Sequence, residues 1–210
     1  MFPAPPSTTS FRPLEGLPIP TLCWPTLRRD LFNSPTSYFA RTSANPQYGM
    51  PGWTRDCGRR FHRGCDIAPL RALPTGNLIR ILFSDCSTGA EYPADEPEWI
   101  PDDEIFAIAS GRIAVAESDP EKSNLGRYLI LDHSSHGFPC FTLYAHLDTL
   151  SVTTGQHVAG GARLGSMGRT ARSEDARRWM AIAPHLHFEV WTPDGQSCHP
   201  IEVLRKGLTP

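Results

Sequence analysis

From Phe61 onward the chain alternates apolar and polar residues in short runs separated by Gly, Pro, Asn or Ser. FHRGCDIA, EIFAIAS, GRIAVAES, RYLILDH, CFTLYAHL and PHLHFEVW share the two-residue period of half-buried strands, a rhythm that predicts antiparallel sheet. Only residues 172–182 carry a helical signature, with Glu174 and Asp175 in the first turn and Trp179, Met180 and Ile182 further along. Residues 1–47 are rich in Pro, Ser and Thr and read as an extended N-terminal segment wrapping a domain that covers 48–210. Its apolar anchors include Leu22, Trp24, Leu31 and Phe39. The expectation is a mainly β protein built on antiparallel sheet, with one short helix.

Composition narrows the function classes. A chain of 210 residues suits one domain with its own core, and 21 Pro with 17 Gly favour turns over helical bundles. A formal charge of −2 lacks the basic excess of a nucleic-acid binder, so no nucleic-acid partner is expected. No apolar run reaches the roughly 20 residues of a transmembrane helix, and MFPAPPSTTS has neither the basic nor the apolar region of a leader. The chain is expected to act as a monomer. Charge is nevertheless uneven: an insertion at about 70–104 holds eight acids against Arg71 and Arg80, and reads as a strand over 77–83 followed by an exposed acidic flap. The six cysteines include no CxxC pair, which argues against a zinc ribbon or a thioredoxin-type site and leaves any disulfide pairing open.

Chemistry gathers in three of the predicted strands. HRGCD holds His62 and Asp66, LYAHL holds His146, and PHLHFEV holds His185 and His187. Side chains two or four apart on a strand share a face, so His62, Gly64 and Asp66 point one way and Cys65 and Ile67 the other. The same rule groups His185, His187 and Glu189 opposite Leu186, Phe188 and Val190, and groups Thr142, Tyr144 and His146 opposite Phe141, Leu143, Ala145 and Leu147. A His-x3-acid pair is weak evidence, because roughly 0.8 are expected by chance, and a His-x-His, at roughly 0.3, is moderate. Their coincidence on amphipathic strands is much stronger than either. A catalytic zinc takes three such ligands and keeps one position for water, so five candidate groups supply three ligands and two proton-handling histidines.

HRGCD, YAHL and HLHFEV, in this order, resemble the lysostaphin-type (LytM-like) zinc metalloendopeptidases, which cleave peptide cross-links of bacterial peptidoglycan. Gly155-Gln156-His157-Val158 and Gly165-Ser166-Met167-Gly168 stand where that family has its turns, and the likeness covers about 60–203. The resemblance implies an antiparallel β-sheet or sandwich with a groove, of the duplicated hybrid motif type, with Zn2+ held by His62, Asp66 and His187, and with His146 and His185 as catalytic residues. It implies stem or cross-link peptides of peptidoglycan as partners and a periplasmic or extracellular location. Two other classes share the fold type: a catalytically silent cell-wall binding module or amidase activator, and a sugar phosphocarrier built on paired histidines. Filled ligand positions disfavour the first, and Asp66 disfavours the second.

Other polar residues have plainer readings. His133, His136, His157 and His199 lie at turns or strand ends and are expected to be solvated, while Cys65 faces the core as a small hydrophobe. Tyr144 reads as a buried strand tyrosine before an oxyanion donor, and Glu189 as either a surface residue or an acceptor that orients a ligand imidazole. Arg55, Arg59, Arg60 and Arg63, with Arg169, Arg172, Arg177 and Arg178, are solvated by default, or hold substrate carboxylates.

Overall fold

The computed structural model describes residues 7–27, 49–55, 58–69, 78–84, 91–97, 103–172 and 184–208. The alternating segments form strands, in chain order β1 (Gly52–Arg55), β2 (Arg60–His62), β3 (Cys65–Ile67), β4 (Leu78–Ser84), β5 (Glu91–Pro97), β6 (Glu104–Phe106) and β7 (Gly111–Glu117). After these come β8 (Arg127–Asp132), β9 (Phe141–Leu150), β10 (His157–Val158), β11 (Arg163–Met167), β12 (Leu186–Trp191) and β13 (Ser197–Cys198), and helix α1 (Pro200–Gly207) closes the described chain.

Nine strands make one sheet in which β10, β7, β8, β9, β11 and β6 lie side by side, and β12 joins β9 to β3 and β13. All its registered strand pairs are antiparallel. The long strand β9 organises it. One edge pairs with β8, whereas the other pairs with β12 over Phe141–Ala145 and with β11 over Leu147–Leu150. His146 falls at that change of partner and takes φ 62°. A non-glycine residue with positive φ is uncommon, and here it marks a bulge that re-aims one side chain.

The larger core lies on one face, where Cys65, Ile67, Leu186, Phe188 and Val190 pack with Tyr144 and Leu147. Phe141, Leu143, Ala145 and Trp191 form a smaller cluster on the other face. The expected alternation therefore holds through β3 and β12 but breaks in β9. Tyr144 belongs with the core, and Leu147 joins it across the His146 bulge instead of continuing the alternation with Ala145.

The N-terminal residues are part of this packing. Leu14, Leu22 and Trp24 are buried in the main core, Cys23 N donates to Ile108 O at 2.7 Å, and Leu22 N donates to Gly207 O at 2.7 Å. At Gly207 a Cβ would stand 2.3 Å from Leu22 Cγ, so the close approach of α1 to this segment requires glycine. Helix α1 has Pro200 in its first turn and His199 as its cap, with Glu202 N donating to His199 Nδ1 at 3.4 Å. The helix expected at 172–182 lies outside the described residues beyond Arg172. The acidic insertion contains more sheet than expected, since β4 pairs along its whole length with β5.

His133 departs from its expected solvated state. It is fully buried, its Nδ1–H donates to Ser110 O at 2.9 Å, and Thr142 Oγ1 donates to its Nε2 at 2.8 Å. Burial lowers its pKa from 6.5 to about 4, outweighing the opposing influence of the Ser110 carbonyl and Asp132. The unfolded chain takes up this proton below about pH 6.5 and the folded one only near pH 4, so His133's contribution is complete above 6.5 and is lost as pH falls through that window. About 2 kcal/mol should be lost between about pH 7 and pH 5. Urea unfolding at both pH values checks this: His133→Asn should show a smaller drop than the wild type, and an equal drop would assign the effect elsewhere.

Candidate metal centre

Antiparallel register assembles the site. Residue Asp66 on β3 lies opposite His187 on β12, which lies opposite Ala145 on β9. His62 arrives from the end of β2, His146 from the β9 bulge, and His185 from just before β12, where it bridges Gly168. All five residues expected from the sequence thus meet at one place. The nearest potential ligand atoms of His62, Asp66 and His187 lie within 4.8 Å of one another. His62 Nε2 is 3.1 Å from His187 Nδ1, and Asp66 Oδ1 is 3.0 Å from His187 Nδ1 and 3.3 Å from His62 Nε2.

Each of these side chains is held on its outer side. His62 Nδ1–H donates to Met50 O at 2.8 Å, which leaves the Nε2 lone pair facing inward. Arg55 donates to Asp66 Oδ2, leaving Oδ1 toward the histidines, and His187 Nε2 lies 2.9 Å from Glu189 Oε1. Gly64 makes room: a Cβ there would stand 2.6 Å from His187 Cε1 and 2.7 Å from Phe188 O. The donor set fits a zinc ion, which takes imidazole nitrogen and carboxylate oxygen and needs ligands oriented from behind.

Electrostatics separates the members. Burial alone would raise the Asp66 carboxyl, but the Arg55 guanidinium, with His62 and His185, holds it well below the usual carboxylate range. For His187 burial works downward, yet its bonds to Asp66 and Glu189 lift it to about 9. Seating a metal on Nδ1 displaces that proton. Burial lowers His62 to about 4, and it lowers His146 to about 3 with help from His185 and His187. Both imidazoles are therefore neutral near neutral pH.

The two remaining histidines adjoin this cluster without joining it. Their rings, of His146 and His185, are centred 4.8 Å apart, and His185 Nε2 lies 3.8 Å from Asp66 Oδ1. His146 Nδ1–H donates to Thr170 O at 2.9 Å, so Nε2 carries the lone pair. Tyr144 stands elsewhere: its hydroxyl accepts from Ile108 N at 3.0 Å inside the core. Cys65 is likewise buried on the core face, with burial pushing its thiol up. Arg55, which the sequence groups with solvated arginines, is buried against Asp66. Nothing in the sequence marks it, because its partner is set by the β1–β2 hairpin.

Residues 98–200 match the family model of Peptidase family M23. The matched stretch contains His146, His185 and His187, while His62 and Asp66 precede it and join it through β3. Similar solved structures include a Pseudomonas aeruginosa protein assigned to peptidase M23, at 18% identity and TM-score 0.44, covering 100% of this chain and 55% of that one. The chain thus spans about half the length of that relative. The catalytic domain of the antimicrobial peptidase lysostaphin from Staphylococcus simulans is similar at 22% identity and TM-score 0.38, covering 51% of this chain and 80% of that one. A zinc containing peptidase from Vibrio cholerae is similar at 21% identity and TM-score 0.41, covering 69% of this chain and 38% of that one.

Proposed function

We propose that this domain is a zinc-dependent endopeptidase that hydrolyses peptide cross-links of bacterial peptidoglycan, acting in the periplasm or outside the cell. The observation that carries the reading is the convergence of two imidazoles and a carboxylate, with ligand atoms within 4.8 Å, beside two further histidines. In this reading His62 Nε2, Asp66 Oδ1 and His187 Nδ1 hold the metal. Zinc supplies Lewis acidity, polarising a substrate carbonyl and acidifying water. The protein's own residues then handle the proton. His146, neutral and with Nε2 free of its backbone bond, takes a proton from the attacking water, and His185 donates to the oxygen that gains charge. Among the described residues no helix is long and apolar enough to cross a membrane.

The test is digestion of purified peptidoglycan by the zinc-loaded protein, with products identified by mass spectrometry. Peptide fragments with new amino termini, lost when a chelator is added, are expected. Release of intact glycan strands from uncut peptides would point to another bond class.

A second reading, a catalytically silent cell-wall binding module, draws on Arg55. Its Nη2 lies 2.9 Å from His62 Nε2 while also bonding Asp66, which places a protein cation against two of the ligand residues. Sedimentation with intact peptidoglycan and no cleavage at full zinc occupancy would favour it.

A further inference from the structure

We infer that Glu189 is a positioning residue for His187, with Arg63 as its counter-ion; the inference rests on the metal centre proposed above. Glu189 lies two residues beyond His187 on the same face of β12, opposite Leu143 of β9. It is 4% exposed, and burial opposes its charge. A carboxylate against an apolar neighbour is costly unless it is paired. Here one oxygen does all the pairing: Oε1 lies 2.9 Å from His187 Nε2 and 3.7 Å from Arg63 Nε. Oε2 is buried and accepts no hydrogen bond among the described residues. Such a residue adds little to stability, and a buried polar atom left unpaired calls for an explanation.

The imidazole supplies that explanation. A histidine ring can present either nitrogen, and which one faces a metal is set by what the other one bonds. With Nε2–H donated to Glu189, Nδ1 is the nitrogen left to face the metal once its own proton is displaced, and it lies 3.1 Å from His62 Nε2 and 3.0 Å from Asp66 Oδ1. Among the described residues, Glu189 is the acceptor on the outer side that chooses between the two ring orientations. The guanidinium of Arg63, half-buried and 3.7 Å from Oε1, balances the charge of Glu189, an engagement that competes with the substrate-carboxylate role considered for it.

The test uses the full chain and zinc affinity from chelator competition, with thermal unfolding and circular dichroism as fold controls. Glu189→Ala should bind zinc about 10- to 100-fold more weakly. Glu189→Gln, which keeps an acceptor at the same reach, should restore part of that loss, and Arg63→Ala should weaken zinc by a smaller factor. In the zinc-loaded wild type, 15N spectra of His187 should show Nε2 protonated and Nδ1 bound. Wild-type affinity in Glu189→Ala, or a spectrum with the two nitrogens exchanged, would overturn the positioning role alone. A wild type that binds no zinc would overturn the metal centre together with this role.

Discussion

Asp66→Ala is expected to abolish stoichiometric zinc binding and peptidase activity together, as are His62→Ala and His187→Ala. Each removes one of three donors from a set whose atoms lie within 4.8 Å, and two remaining ligands do not make a closed zinc site. Asp66→Ala has a second cost, because it removes the carboxylate that pairs with the buried Arg55 guanidinium. Removing one partner of a buried ion pair destabilises by about 3 to 5 kcal/mol. The two losses can be separated: adding Arg55→Met to Asp66→Ala should recover much of the stability while zinc stays absent. Thermal unfolding and zinc analysis of the single and double variants check this. Full zinc occupancy in folded Asp66→Ala would remove Asp66 from the ligand set.

His146→Ala is expected to behave in the opposite way, keeping near-stoichiometric zinc while turnover falls by about 10² to 10⁴. The imidazole bonds the Thr170 carbonyl on one side and lies beside His185 on the other, with its ring centre 6.0 Å from that of His187. It adjoins the ligands without completing their set. Steady-state kinetics on a cross-linked peptide, with zinc measured on the same preparation, separates the roles. Loss of zinc in His146→Ala would make this histidine a ligand, and unchanged turnover would deprive it of a catalytic part.

The contrast between these variants follows from how different parts of the site are encoded. Alternation is a local rule, so it places His187 and Glu189 on one face of β12 and Leu186, Phe188 and Val190 on the other. The rule fails in β9 because the strand changes partners at His146, and the left-handed φ there sends Leu147 into the core. No residue type announces that bulge, since glycine is the usual signal for such a φ and here the position is histidine. Arg55 and His133 escape a local reading of the sequence for a related reason. Each is polar and lies near a turn, and only long-range packing buries it, against Asp66 in one case and between Ser110 and Thr142 in the other. Helix α1 leaves little trace in the sequence because eight residues with a proline in the first turn give too short a period to stand out, although His199 and Pro200 are suitable starting residues.

Zinc K-edge absorption on the loaded wild-type protein tests the central claim most directly, because it reports the atoms around the metal. Two imidazole nitrogens and a carboxylate oxygen, with an added light-atom ligand, predict a shell at about 2.0 to 2.2 Å and no sulfur. A sulfur shell near 2.3 Å, or a protein that retains no zinc on purification and reconstitution, would contradict the assignment of His62, Asp66 and His187.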